Sequence, residues 1–149
     1  MGTTTHDIFG DAAAARPAEP DSYGEAPRGF RLPAATRLGR VRLQVSDLAR
    51  ALAFYEDVLG FRAVEREASR AVLAAHDDDT PLVELREHAG ARRITPRARL
   101  GLFHFAILLP DRPALGRFLA HLGALGIPAG MSDHLVSEAI YLSDPDGLG

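Results

Sequence analysis

A pattern that occurs twice, 64 positions apart (111 − 47), most constrains what this chain can fold into. In its first copy, Arg40-Val41-Arg42-Leu43-Gln44-Val45 alternates polar and apolar residues, the mark of a half-buried strand. Ser46 or Asp47 then caps a helix whose stripe is Leu48, Leu52, Phe54, Tyr55, Val58 and Leu59, and Gly60 ends it. Three further strands are expected at Phe61 to Glu67, Arg70 to His76 and Pro81 to His88. In the second copy His104 falls on Arg40, Asp111 on Asp47 and Phe118 on Phe54. Pro113 opens its helix, Leu115, Phe118, Leu119, Leu122 and Leu125 line it, and Gly126 stops it. Strands follow at Pro128 to Leu135 and Ser137 to Leu142, then the turn Asp144-Pro145-Asp146-Gly147. The first copy reads strand, helix and three strands; the second has one strand fewer. The expectation is an α+β protein of two similar modules, with the last strand of the second missing from a truncated chain.

The second copy opens on Gly101 to Asp111, an apolar and aromatic run with one polar interruption, His104. On a period of two, His104 shares a strand face with Ala106 and Leu108. An imidazole there is poorly hydrated and needs a partner, either a backbone carbonyl in the core or a metal ion. The chain has no cysteine, which excludes disulfides and thiolate ligands. With 17 basic and 20 acidic residues well mixed, it carries no nucleic-acid footprint and no basic amphipathic helix for a membrane surface. No apolar run reaches the length of a membrane span and no signal peptide opens the chain, so a cytoplasmic location is expected. Residues 1–35 are rich in Ala, Pro, Gly and Thr and read as a disordered tail.

From about residue 36 to 149 the chain resembles the vicinal oxygen chelate superfamily, which includes glyoxalase I, bleomycin-resistance proteins and extradiol dioxygenases. The resemblance is carried by the first strand, by Asp47-Leu48-Ala49-Arg50-Ala51-Leu52-Ala53-Phe54-Tyr55-Glu56-Asp57-Val58-Leu59-Gly60-Phe61, by His104 to Pro110, by Asp133 to Ala139 and by Tyr141 to Gly147. The second half is similar to the N-terminal half of two-domain catechol 2,3-dioxygenase-like proteins. The resemblance implies two paired βαβββ modules, about 36–96 and 97–149, whose mixed sheets form a cup around one metal.

It also implies roles for particular residues. Extradiol enzymes hold Fe(II) with two histidines and a carboxylate, leaving positions open for catecholate and dioxygen. His104 takes a first-strand ligand position, but its counterpart in the first module is Arg40 (Arg42 if the register slips). The carboxylate of relatives lies beyond the Asp-Pro-Asp-Gly turn. Glu84, on the fourth strand of the first module, is the alternative carboxylate ligand, or else a strand residue paired with Arg86 or Arg66. His88 is a candidate acid/base, and His134 and Tyr141 are candidates for holding substrate oxygens. Their plain alternatives are a loop histidine, a strand-end cap and a half-buried tyrosine. His76 and His121 read as surface residues.

The activity implied is Fe(II)-dependent cleavage of a catechol-type ring by dioxygen, with Mn(II) or another divalent ion as the alternative metal. The partners are a small aromatic substrate, dioxygen and, through an unpaired sheet edge, further copies of the chain. Two other functions stay open. Arg40 in a ligand position favours a metal-poor small-molecule binding module of the bleomycin-resistance kind, and Glu84 would serve a glyoxalase-like lyase or isomerase.

Overall fold

A computed structural model describes residues 28–92, 102–135 and 137–149. The chain divides into two compact units at Arg37/Leu38, and the architecture below is that of the second. Most of the expected tail, residues 1–27, and most of the basic loop, 93–101, lie outside the described residues.

The first module is β1 (Val41–Val45), α1 (Leu48–Ala53), β2 (Arg62–Arg66), β3 (Arg70–Ala74) and β4 (Val83–Glu87). Asp47 caps α1 by accepting from the Arg50 N–H at 2.9 Å. After Ala53 the helix widens into a π-helical turn, Phe54–Val58, in which the Leu59 N–H donates to the Phe54 carbonyl. Gly60, at φ 78, then turns the chain into β2. The strands form one sheet in the order β1-β4-β3-β2, with β1 and β4 parallel and the other pairs antiparallel.

Period-two alternation splits this sheet into two chemically different faces. Leu43, Val45, Val83, Leu85, Ala71 and Leu73 pack under α1 with Leu48, Ala51, Leu52, Tyr55 and Phe61. Leu148 joins the same core from the other end of the chain, and Phe105 packs against it. The other face carries Arg42, Glu84 and Val72 in one cross-strand row and Gln44, Arg86 and Arg70 in the next.

The second module has α2 (Arg112–Leu125), β5 (Gly130–Asp133) and β6 (Glu138–Tyr141), the two strands antiparallel. Its helix repeats the first one's chemistry. Asp111 accepts from the Ala114 N–H at 2.7 Å, and Gly126 closes the C-terminus at φ 66. The strand expected at 101–111 is not formed: 102–109 carries no strand pairing, with Phe103 84% and Leu108 96% exposed. The reason is visible in the first module, where β1 bonds to β4 alone. The described residues of the second module contain no counterpart of β4, so a first strand there has no ladder to join. Burial follows the same line. Leu122 is buried as expected, but Phe54, Leu59 and Phe118 are half-buried.

Tyr55 is buried, and its hydroxyl donates to Asp144 Oδ2 at 3.3 Å. Burial first, and then the Asp144 charge, push its pKa far above the ordinary 10.0. The folded state therefore keeps this proton after the unfolded chain releases it, so stability is full below that value and falls as pH rises past it. Tyr55→Phe should remove this alkaline loss at a cost near neutrality of about 1 kcal/mol. Urea midpoints followed from about pH 8 to about pH 11 test it; an unchanged slope would assign the titration to another group.

Candidate functional site

Two groups of polar side chains stand out. The first is built on the β5–β6 hairpin, where Gly130 pairs with Tyr141 and Asp133 with Glu138. Tyr141 ends β6 opposite Gly130 and His134 follows Asp133 at the turn, so the two stand at opposite ends of a hairpin of four-residue strands and their side chains reach along it to meet. His134 Nε2 and the Tyr141 hydroxyl share a hydrogen bond of 2.9 Å. With Nε2 unprotonated, the tyrosine is its donor. His104 meets the same tyrosine edge-on, with ring centroids 6.5 Å apart and an interplanar angle of 88°. All three residues are exposed. A neighbouring pair stiffens the hairpin: Arg112, at the start of α2, grips Glu138 through two nitrogens at 2.6 and 3.0 Å. The Arg112 hydrogen bonds hold the Glu138 carboxyl below the usual range.

The second group surrounds Glu84, which is 0% exposed in the middle of the four-stranded sheet. Arg86 Nε donates to Oε1 at 2.5 Å, and Arg40 Nε lies 2.8 Å from Oε2. Arg70 Nε and Arg42 Nε follow at 3.4 and 3.5 Å. The hydrogen bond from Arg86, opposed by desolvation and reinforced by Arg70 and Arg40, holds the Glu84 carboxyl below the ordinary range. Arg66, the other expected partner, is turned away to Glu56 at 2.7 and 2.8 Å. In the sequence Arg40 and Arg42 fall at a ligand position and Arg70 at a strand start, none of them marked as a partner of Glu84, yet the signal is present. Parallel β1–β4 pairing with period two puts 40, 42, 70, 84 and 86 on one face.

A ligand set for a metal is not assembled from these parts. Among the described residues no group of three or more His, Asp or Glu side chains is placed to hold an ion. The Glu84 carboxylate is instead surrounded by four cations. His88 follows β4, its backbone N–H donating to the Val45 carbonyl and its ring exposed, and no contact among the described residues joins it to either group. His76 is exposed, while His121 reaches the Asp57 carbonyl at 3.2 Å.

The final turn has a role that its sequence did not disclose. Asp146 accepts from the Ser46 N–H at 2.7 Å, the Ser46 hydroxyl at 2.6 Å and Arg50 Nη2 at 2.7 Å. With Tyr55 on Asp144 and Leu148 in the core, this turn clamps the junction between β1 and α1.

A four-stranded sheet with parallel outer pairing, followed by a second capped helix and a hairpin, is the frame of a known family. Residues 37–149 match the Glyoxalase/Bleomycin resistance protein/Dioxygenase superfamily. The chain belongs to that superfamily. A catechol-2,3-dioxygenase of Bacillus subtilis (strain 168) is 46% identical over 114 residues, which cover 76% of this chain and 40% of that protein. The chain thus spans about two fifths of the length of this curated relative. Among solved structures, a glyoxalase/dioxygenase from Nostoc punctiforme superposes with a TM-score of 0.65 at 18% identity, covering 83% of this chain and 94% of that one. A lactoylglutathione lyase from Agrobacterium tumefaciens gives 0.59 at 23% identity, with 77% and 90% covered. These two likenesses establish the glyoxalase fold. A bleomycin resistance determinant encoded on transposon Tn5 gives 0.54 at 28% identity, with 75% and 92% covered. No helix among the described residues is long and apolar enough to cross a membrane.

Proposed function

We propose that this chain is part of an extradiol-type dioxygenase acting on a catechol-type ring, with His104, His134 and Tyr141 as its substrate-facing residues. The observation that carries this reading is the convergence of the two histidines on Tyr141, with His134 hydrogen-bonded to its hydroxyl and His104 edge-on to its ring. The 46% identity to a protein named catechol-2,3-dioxygenase supports it. A catechol presents two adjacent hydroxyl groups on a flat ring. The Tyr141 oxygen can accept a proton from one of them as its own hydroxyl proton passes to His134 Nε2, so the pair can relay a proton from substrate to imidazole and leave the tyrosine neutral. His104 supplies an imidazole beside the same ring. Fe(II), with Mn(II) as the alternative, is the cofactor such an activity uses to activate dioxygen. The described residues do not complete its ligand set, so the share assigned to this chain is binding and proton handling.

Tyr141→Phe is expected to weaken catechol binding about five- to tenfold, the value of one hydrogen bond. Calorimetric titration of catechol, paired with oxygen uptake in the presence of Fe(II), tests the reading. Absence of both binding and uptake would sink it. Binding without uptake would favour a small-molecule binding module instead, the reading that the capture of Glu84 by arginines supports.

A further inference from the structure

The face of the four-stranded sheet that points away from α1 carries a second site. We propose that Arg40, Arg42 and Arg86 form a binding site for a small oxyanion, a carboxylate or phosphate group, above the buried Glu84. The argument begins with charge. Arg70 Nη1 is shared between Glu65 and Glu67, at 2.8 Å each, so its charge is more than offset at the edge of the cluster. Three guanidiniums then face a single carboxylate, and Glu84 is kept ionised by those same partners. Arg86 and Arg70 are direct cross-strand neighbours, an arrangement of like charges that calls for negative charge between or above them.

Geometry points the same way. A carboxylate that satisfies an arginine fully takes its two-pronged end. Here all four arginines approach Glu84 through Nε, the side of the guanidinium. The terminal nitrogens of Arg40, Arg42 and Arg86 have no protein partner among the described residues. Arg42 and Arg86 hold theirs in solvent, their side chains 65% and 59% exposed. Glu84 is thus a pivot that orients the guanidiniums by one edge and leaves the forked ends for a second acceptor with two or more oxygens on one centre. The sheet position that would suit a cation in a carboxylate-and-histidine site is here built for an anion.

The test is titration of the whole 149-residue chain with inorganic phosphate and, separately, with benzoate, read by calorimetry and by thermal shift. Saturable binding of either at millimolar concentration or below is expected, weakening as sodium chloride is added. Tighter phosphate binding would identify a phosphoryl ligand, and tighter benzoate binding an organic acid. Arg86→Gln should weaken binding at least about tenfold. Because Arg86 touches Glu84, Arg42→Gln is the second variant. Its Nε stands 3.5 Å from the carboxylate, so the fold should tolerate its loss, and binding should fall by a similar factor. His134→Ala should leave anion binding unchanged, which separates this site from the catechol site. Failure of both anions to bind, or equal binding by wild type and the Arg42→Gln/Arg86→Gln double variant, would overturn the proposal.

Discussion

Glu84→Gln should lower the melting temperature by on the order of 10 °C, far more than any charge removal at the surface of the same sheet. The substitution keeps the shape of the side chain and removes the one negative charge that four guanidiniums approach. Those cations would then repel one another across neighbouring strands with no buried counter-charge. Removing the exposed Arg66–Glu56 pair, by contrast, should cost under about 1 kcal/mol. Acid titration gives a second readout. The folded carboxyl lies below its ordinary 4.5, so its contribution is complete above that value and is lost as pH falls through the lower, folded one. Wild type should lose stability over that interval, and the Gln variant should lose less. Phosphate should restore part of the variant's stability, because an oxyanion supplies the missing charge. A melting temperature within about 2 °C of wild type would mean that solvent already screens the cluster.

Asp146→Ala is the second large effect, expected at about 3 kcal/mol in urea unfolding. The carboxylate is buried and takes three hydrogen bonds, one of them from an arginine. Its loss leaves the Ser46 N–H and the Arg50 guanidinium without their acceptor at the start of α1. Amide exchange at Ser46 should rise with the loss of stability. A cost below about 1 kcal/mol would reduce the clamp to a surface contact.

What was legible in the sequence is what local chemistry decides. Asp47, one of the two caps the sequence offers, and its match Asp111 do the capping, and Gly60 and Gly126 stop the helices, because each acts on backbone groups within a few residues. Alternation in β1 and β4 placed Leu43 and Leu85 inward without reference to the rest of the fold. The run around His104 has equally good strand composition, yet a strand also needs a neighbour to bond to, and composition does not report one. The site divides the same way. His134 and Tyr141 meet because a short hairpin joins them, whereas the ring of arginines needs the pairing of β1 with β4 before it can be seen. Nothing in Asp-Pro-Asp-Gly says which distant amide its carboxylates will take.

That clamp also sets a timetable for synthesis. The Ser46–Asp146 contact spans 100 positions, and Leu148 belongs to the core of the first module. As the chain leaves the ribosome, β1 to β4 can meet once Glu87 has emerged, but the core beneath α1 stays open on one side for some sixty residues more, a few seconds at ordinary elongation rates. Closing so long a loop adds little to the equilibrium cost, since that cost grows only with the logarithm of length. Its effect is on order of events. The helix of the first module is held by residues made long after it, so in a nascent chain stalled before Asp144 its apolar face stays uncovered and open to chaperones.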